Sequence, residues 1–441
     1  MAESKIIVVD DDPTGSQTVH SCLLLTRWDV DTLAEACLDS SPLFFVLSNT
    51  RGMNADRAAS VTSEICRNLK QALDRLEAEG RPINPIVVSR SDSTLRGHYP
   101  VETDIMSQEL GPFDAHFLVP AFFEGGRITR NSIHYLKVDG KDVPVHETEF
   151  ARDSVFGYHH SYLPDYVEEK TGGRIRAGDV ERFLLEEVRS SSLDRLLTLE
   201  GNRCCAVDSE SQKDLNRFAD DLNEAASLGK RFLFRSAASL LTALAKLPPQ
   251  PVKPEEMFQM VRGGKPGAVI VGSHVQKTTQ QLNELLKKTG IFPVEIDVQR
   301  IADKDENILT EISEKAESAF AEGKTSVIYT SRKELVFDNQ EIRLKFGESV
   351  SSLLMDVVRR LPQDIGFLIS KGGITSNDVL STGLALRKSR VLGQILTGCS
   401  VVQCPSSHAR YPDLPVVIFP GNVGDNTALA TVYSRLAGLD R

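Results

Sequence analysis

Short apolar runs, each breaking into a small or polar turn, alternate along this chain with stretches whose apolar residues fall at helical spacing. Ile6–Val9 runs into DDDPTGSQT, Leu43–Leu47 into Ser48-Asn49-Thr50-Arg51-Gly52, Ile86–Ser89 into RSDSTLRG, and Phe117–Val119 into PAFFEGGR. From Ala55 to Leu76 the apolar residues Ala58, Val61, Ile65, Leu69, Leu73 and Leu76 recur at three- and four-residue steps, which predicts a helix stopped by Gly80 and Pro82. Residues Asn131–Thr171 are less regular and rich in aromatic residues and His, an excursion of loops and short strands. Order resumes with a strand at Cys204–Val207 and a helix from Ser211, where Ser211-x-x-Asp214 has the spacing of a capping box. A strand at Arg231–Phe234 and a helix at Ala237–Leu247 follow.

The back of the chain repeats the rhythm. AVIVGSHVQKTTQQL (Ala268–Leu282), GFLISKGGITSNDVL (Gly366–Leu380) and PVVIFPGNVGDNTAL (Pro415–Leu429) each pass from an apolar run through a glycine-bearing turn into a helical pattern. Strand then helix, repeated, predicts an α/β fold with mainly parallel sheets flanked by helices. With 441 residues the chain is too long for one ordinary core, so two domains are expected. Four prolines between Pro248 and Pro254 stiffen the chain and remove backbone donors, which reads as a linker. The expected division is therefore residues 1–246, a linker at 247–266, and residues 267–441.

Composition removes several classes of function. A formal charge of −10 argues against nucleic acid as a partner, because phosphate backbones call for clustered Lys and Arg. No apolar stretch approaches the roughly 20 residues of a membrane span, and the N-terminus enters SKIIVVDDD without a signal-peptide core. Seven cysteines, an odd number without a C-x-x-C pair, suit reduced thiols in a cytoplasm. No histidine pair has metal-ligand spacing, and His159-His160 would point apart in a strand. His98 and His274 sit beside motifs and read as structural histidines. GxGxxG and the P-loop spacing are both absent.

Candidate chemistry concentrates in the turns. Asp10-Asp11-Asp12-Pro13-Thr14-Gly15 follows a buried strand, where open α/β sheets hold their ligands. Three adjacent carboxylates repel one another unless cations or donors meet them. They suit a polyhydroxylated substrate, with one carboxylate as general base. They also satisfy the apolar-apolar-Asp-x-Asp-x-Thr pattern of a haloacid-dehalogenase-type phosphatase, with Asp10 as nucleophile. In Ser89–Gly97, hydroxyls, Asp92 and the guanidinium groups of Arg90 and Arg96 share one segment, and Arg grips carboxylates through paired hydrogen bonds. Arg51 and Arg127, each past another strand end, suit the same crevice. In the back half, glycine-bearing turns offer bare N–H groups to phosphates.

Taken in order, the motifs D-D-x-T-G (Asp11–Gly15), D-S-T-L-R-G (Asp92–Gly97), P-A-F-x-x-x-G-R (Pro120–Arg127), G-S-x-x-x-x-T (Gly272–Thr278), G-G-x-T (Gly372–Thr375) and Pro420-Gly421 resemble the four-carbon acid-sugar kinases. The resemblance spans nearly the whole chain. It implies a sugar-acid-binding N-terminal domain, an ATP-binding C-terminal domain and catalysis in an active-site cleft between them. Asp12 is the first choice as base and Asp92 the second. Substrate contacts carried over by motif include Asp11, Asp12, Arg96 and Arg127, and Arg51, Ser91 and Gly97 join them as substrate-binding candidates. Nucleotide contacts are Ser273, Lys371, Gly372, Gly373, Ile374, Thr375, Gly421, Asn422, Val423 and Gly424. Lys371 would meet a β- or γ-phosphate or stay solvated, and Thr375-x-x-Asp378 also has capping-box spacing. Ile374 stands where the family often has an acidic residue, and Arg90 where Lys is common, which marks a divergent branch. The implied function is ATP-dependent phosphorylation of a small sugar acid, with Mg²⁺ carried by phosphate oxygens and water. No protein metal site is expected, and a homodimer stays open. The phosphatase and a non-enzymatic two-domain metabolite sensor are the alternatives.

Overall fold

A computed structural model of the chain describes residues 3–332, 335, 339–421 and 423–439. Two compact units divide the chain, Met1–Pro248 and Pro249–Arg441. The first contains β1 (Glu3–Asp10), β2 (Leu23–Leu25), β3 (Leu43–Leu47), β4 (Ile83–Arg90), β5 (Ala115–Val119), β6 (Arg127–Arg130), β7 (Ile133–Val138), β8 (Lys141–Pro144), β9 (Glu181–Phe183), β10 (Arg203–Val207) and β11 (Phe232–Ser236). Eight of these run side by side in the order β2-β3-β1-β4-β11-β5-β10-β9, every neighbouring pair parallel. β3 and β5 are buried at every position, as parallel strands covered on both faces must be, and so they read as unbroken apolar runs.

The chain lays β2 and β3 to one side of β1, then crosses back to place β4 on the other. Strand order thus reverses at β1, and the turns following β1 and β4 border the crevice this reversal opens. The helix Ala55–Ala78 covers one face, burying Ala58, Val61, Ile65, Leu69, Ala72 and Leu76 against Ile7, Phe44 and Val87. Its first turn is capped by the Asn54 side chain, which accepts from the Arg57 N–H. The excursion at 131–171 contributes to a three-stranded antiparallel sheet, β6-β7-β8, and the helix Leu163–Lys170. His159 and His160 lie outside any strand, contrary to the expectation from sequence. His159 Nδ1 instead pairs with Glu169 Oε1 at 2.8 Å, which draws the segment onto that helix.

The second unit contains β12 (Ala268–Val271), β13 (Ile291–Ile296), β14 (Thr325–Thr330), β15 (Leu368–Lys371), β16 (Lys388–Leu396), β17 (Cys399–Gln403) and β18 (Pro415–Phe419). Their order is β13-β14-β12-β15-β18-β17-β16, parallel through β18 and antiparallel from there. Here too the first strand is the reversal point, with β14 on one side of β12 and β15 on the other. The core joins Val269, Val271, Ile369, Val417 and Phe419 to Leu282, Leu285, Leu429 and Val432, and Met257 from the proline-rich segment is buried within it. Each α/β unit therefore carries its own crevice at the carboxyl ends of its strands. All seven cysteines are buried, and none is in a disulfide. Among the described residues no helix is long and apolar enough to cross a membrane.

The helix Gln212–Ser227 starts with the capping box its sequence advertises: Ser211 Oγ accepts from Asp214 N–H at 3.4 Å, and Asp214 Oδ2 accepts from Ser211 N–H at 3.0 Å. Ser211→Ala removes one half of that exchange. We expect it to lower stability by about 1 kcal/mol, read in a urea titration as a lower midpoint at unchanged slope. An unchanged midpoint would show that the box contributes nothing.

Candidate active site

β3, β1, β4 and β11 are neighbours, so the turns leaving Leu47, Asp10, Arg90 and Ser236 meet at one end of the sheet. Backbone bonds lace them together. Asp10 O accepts from Ser48 N at 2.9 Å and Ser48 Oγ at 2.8 Å, while Asp11 N donates to Arg90 O at 3.3 Å and Ser91 N to Ser236 O at 2.9 Å. The three carboxylates are then met one by one. Arg90 Nη1 donates to Asp10 Oδ1 at 3.1 Å. Arg51 grips Asp11 through two N–H groups, at 2.5 and 3.2 Å, and Ser91 Oγ donates to the same carboxylate at 2.9 Å. Asp12 Oδ1 accepts from Thr14 N at 2.9 Å and from the Thr14 hydroxyl, with Arg51 3.5 Å from its other oxygen.

Their electrostatics differ accordingly. Asp10 is wholly buried, and burial pushes its carboxyl up to about 7 even though Arg90 opposes this. For Asp12, burial disfavours the charge, but Arg51, Arg90 and Thr14 outweigh it and hold the carboxyl below the ordinary range. Asp92 follows the same logic. Burial is overcome by Arg51 and Arg96, and Arg96 Nε donates to it at 2.8 Å. Side-chain exposure is 21% for Asp12, 13% for Asp92 and 2% for Asp11, so Asp12 is the most open of these three carboxylates.

Arg235 underlies the cluster and is absent from the candidates drawn from sequence. It donates to Ser89 Oγ at 2.7 Å, Ser91 Oγ at 2.7 Å and Glu102 Oε2 at 2.5 Å. Its signal was there to be read: a lone cation inside the apolar run Phe232–Ser236 must have a buried partner. Glycine is required above the cluster, since a Cβ at Gly97 (φ +126) would stand 2.5 Å from Ser91 Oγ and 2.6 Å from Arg235 Nη2. The aromatic excursion braces the Ser91–Gly97 turn from behind. His134 Nε2 bonds Ser93 O at 2.8 Å, Tyr158 OH donates to Thr94 O at 2.7 Å, and Tyr166 OH donates to Leu95 O at 2.9 Å. Burial lowers His134 to about 4, so it stays neutral there. A cavity of about 20 Å³ between Ser91, Asp92, Arg96, Tyr166, Arg235 and Ser236 has room for one water.

Arg127 is held differently. Its Nη1 donates to Gly125 O at 2.5 Å, its guanidinium lies 5.8 Å from the Phe122 ring centroid, and its buried Nε has no hydrogen-bond partner. Burial lowers its pKa, with Asp92 acting in the opposite sense. His98 is structural, Nε2 lying 3.1 Å from Thr50 O and 3.0 Å from Met53 O.

In the second unit β12, β15 and β18 are parallel neighbours, so their three turns emerge together. Contact between them is close: a Cβ at Gly272 would stand 2.6 Å from Thr375 Oγ1, and one at Gly372 (φ +116) 3.3 Å from Ser273 Cβ. Gln281 Nε2 donates to Val423 O at 2.9 Å and Asp425 O at 2.7 Å, tying down the third turn. Arg332 Nη1 donates to Ser273 O at 2.8 Å. Asn422 lies outside the described residues. Gly373 opens the helix Gly373–Asp378, and Ile374 on its first turn is 73% exposed. The Thr375–Asp378 capping box does not form. Gly372 is the N-cap, so Thr375 already lies inside the helix, and Asp378 accepts from the Ser351 hydroxyl instead. Lys371 is fully buried rather than solvated, its ammonium donating to Pro420 O at 2.6 Å.

A family model described as a sugar-binding N-terminal domain matches residues 6–244, and one described as a nucleotide-binding C-terminal domain matches residues 268–429. The chain belongs to the four-carbon acid-sugar kinase family. As such a kinase it is a phosphotransferase acting on a hydroxyl group. A D-threonate kinase of Salmonella typhimurium (strain LT2) is 26% identical over 449 aligned positions, covering 96% of this chain and 96% of that protein. A D-erythronate kinase of Heliobacterium modesticaldum is 28% identical over 309 positions, 68% of this chain and 64% of that protein. The crystal structure of Haemophilus influenzae protein HI1011 shares the fold, with a TM-score of 0.65 at 16% identity over 98% of this chain and all of that one. A Salmonella typhimurium LT2 protein of known structure does so at a TM-score of 0.67, 17% identity and 98% of both chains.

The geometry of this acid-sugar kinase gives no support to Asp10 as a phosphatase nucleophile. The carboxylate is sealed, bonded to Arg90, and so close beneath Gly15 that a Cβ there would fall 1.8 Å from Asp10 Oδ2. A raised folded-state value means that Asp10 favours the fold at low pH and loses that contribution as pH rises through about 7. The stability of Asp10→Asn relative to the parent should therefore improve from about pH 4 to about pH 7 and then level off. Parallel urea titrations at stepped pH would check this, and a difference that stays flat would contradict it.

Proposed function

We propose that the chain is an ATP-dependent kinase that phosphorylates a hydroxyl of a small, four-carbon sugar acid. In this reading residues 1–246 bind the sugar acid, 247–266 link, and 267–441 bind the nucleotide. The observation that carries it is the company of Asp12 and Arg127 at one sheet end. One offers an ionised, partly open carboxylate, and the other a buried guanidinium Nε with no partner. A polyhydroxylated acid has both complements, hydroxyls to donate and a carboxylate to accept. Among the described residues Arg127 forms no ion pair, so it can take an anionic group without first giving one up. Arg96 is shared with Asp92 at 2.8 Å and Asp153 at 3.7 Å and would supply orientation more than net charge.

The transfer itself asks little covalent chemistry of the protein. The substrate hydroxyl attacks the γ-phosphorus, the bond to the β-phosphate oxygen breaks, and ADP leaves. The hydroxyl proton passes to Asp12. A carboxylate held below its ordinary range is a weak base, which suits a loose transition state in which the proton moves late. Asp92, bonded to Arg96 and Thr94, is better placed to orient than to accept a proton. At the second unit the clustered turns fit phosphates: a Cβ on Gly421 would meet nothing within 4 Å, and Gly372 has a conformation that side chains rarely adopt. Mg²⁺ would come with ATP, bound to its phosphates and water.

The test is ADP release from ATP and Mg²⁺ with a panel of tetronic acids including D-threonate and D-erythronate. Asp12→Asn should lower kcat by about a hundredfold or more while calorimetry still shows ATP binding. Turnover of phosphate esters without ATP, or silence with every sugar acid, would overturn the reading.

A further inference from the structure

Lys371 ends β15 and is completely buried, and among the described residues no carboxylate pairs with it. Its Nζ donates to Pro420 O at 2.6 Å and Gly421 O at 3.2 Å, and sits 4.1 Å from the centroid of the Phe419 ring. The next residue joins in, Gly372 N donating to Phe419 O at 2.8 Å. Lys371 and Gly372 thus hold three successive carbonyls, Phe419 to Gly421, at the point where β18 gives way to the glycine turn. Burying an ammonium without a counter-ion is costly, and carbonyl dipoles with one ring face offset only part of it. Apolar residues of similar length would fill the space without that cost. A Cβ on Gly421 would meet nothing within 4 Å, so the space beside that residue is open.

We propose that Lys371 is a positioning residue for the phosphoryl donor: drawing the Pro420 carbonyl inward, it turns the Gly421 N–H of the same peptide outward and lays its charge beneath the phosphate held there. This rests on the nucleotide being bound at these turns, as proposed above. The groups facing the ammonium are few. Cys399 on β17 is pushed up to about 12 by burial and stays a neutral thiol, while Lys277 on the helix Gln276–Leu285 is a like charge that works against Lys371. Burial brings Lys371 itself down to about 7. Its charge is present below neutrality and lost above it, so affinity for an anionic donor should fall as pH rises through that point.

Calorimetric titration of the full chain with MgATP tests this. Lys371→Met keeps the stem over Phe419 and removes charge and donors. Its Kd should rise about tenfold or more, with the KM for the sugar acid unchanged. Lys371→Gln, a neutral donor, should fall between the two. For the parent, Kd should rise between about pH 6 and 8, where MgATP stays ionised, and the Met variant should lack that rise. A folded Met variant with parental Kd overturns the positioning role, as does a parental Kd that is flat with pH if the Met variant does not fold. A parent that binds no MgATP overturns the functional reading as well, so the two failures are told apart.

Discussion

Three consecutive carboxylates at the end of a buried strand repel each other, and the first unit is arranged around the guanidinium groups that let them remain. Arg90 arrives from the neighbouring strand, Arg51 from the turn after β3, and both reach the acidic turn because strand order reverses at β1. Arg235 supports them from the next strand along, its own charge matched by Glu102. Removing any one member would leave a buried charge unpaired, the costly side of such networks. The network therefore constrains the geometry of Asp12 and Ser91 more tightly than loops of this length would alone.

One consequence is a division of labour among like residues. Asp10 is the deepest and is driven toward its neutral form, Asp11 is saturated by Arg51 and Ser91, and Asp12 keeps its charge and some access to water. Environment alone separates three identical side chains in sequence order. The same principle separates the arginines: Arg51, Arg90 and Arg235 are committed to protein carboxylates, whereas half-buried Arg127 pairs with none among the described residues. In the proposed reaction the committed groups shape the site and the uncommitted ones meet the substrate.

The second unit solves a different problem with the same topology. Its first strand is again the reversal point, but the turns there are glycine-bearing and nearly free of carboxylates. Backbone groups carry the polarity, and Lys371 organises carbonyls instead of presenting itself at the surface. A turn that offers N–H groups needs its carbonyls held on the opposite side, and a buried donor does that.

Much of this was legible along the chain, since strands, helix starts and glycine turns are local matters. β3 and β5 announce themselves as apolar runs because both faces are covered, and the Ser211 box needs only four consecutive residues. The acidic turn, Arg51, Arg96 and Arg127 stood out for the same reason, as polar residues at the ends of apolar runs. Thr375 misled because its spacing to Asp378 was right, while the backbone of Gly372 started the helix earlier. The sequence by itself thus determined which segments are strands and where chemistry could collect. Tertiary structure alone decided the partnerships, because they join residues 40, 80 and 133 positions apart, as in Arg51 with Asp11, Arg90 with Asp10 and Arg235 with Glu102. Strand order, which no local pattern encodes, brings those residues within hydrogen-bond reach, and burial at that spot then sets their charge.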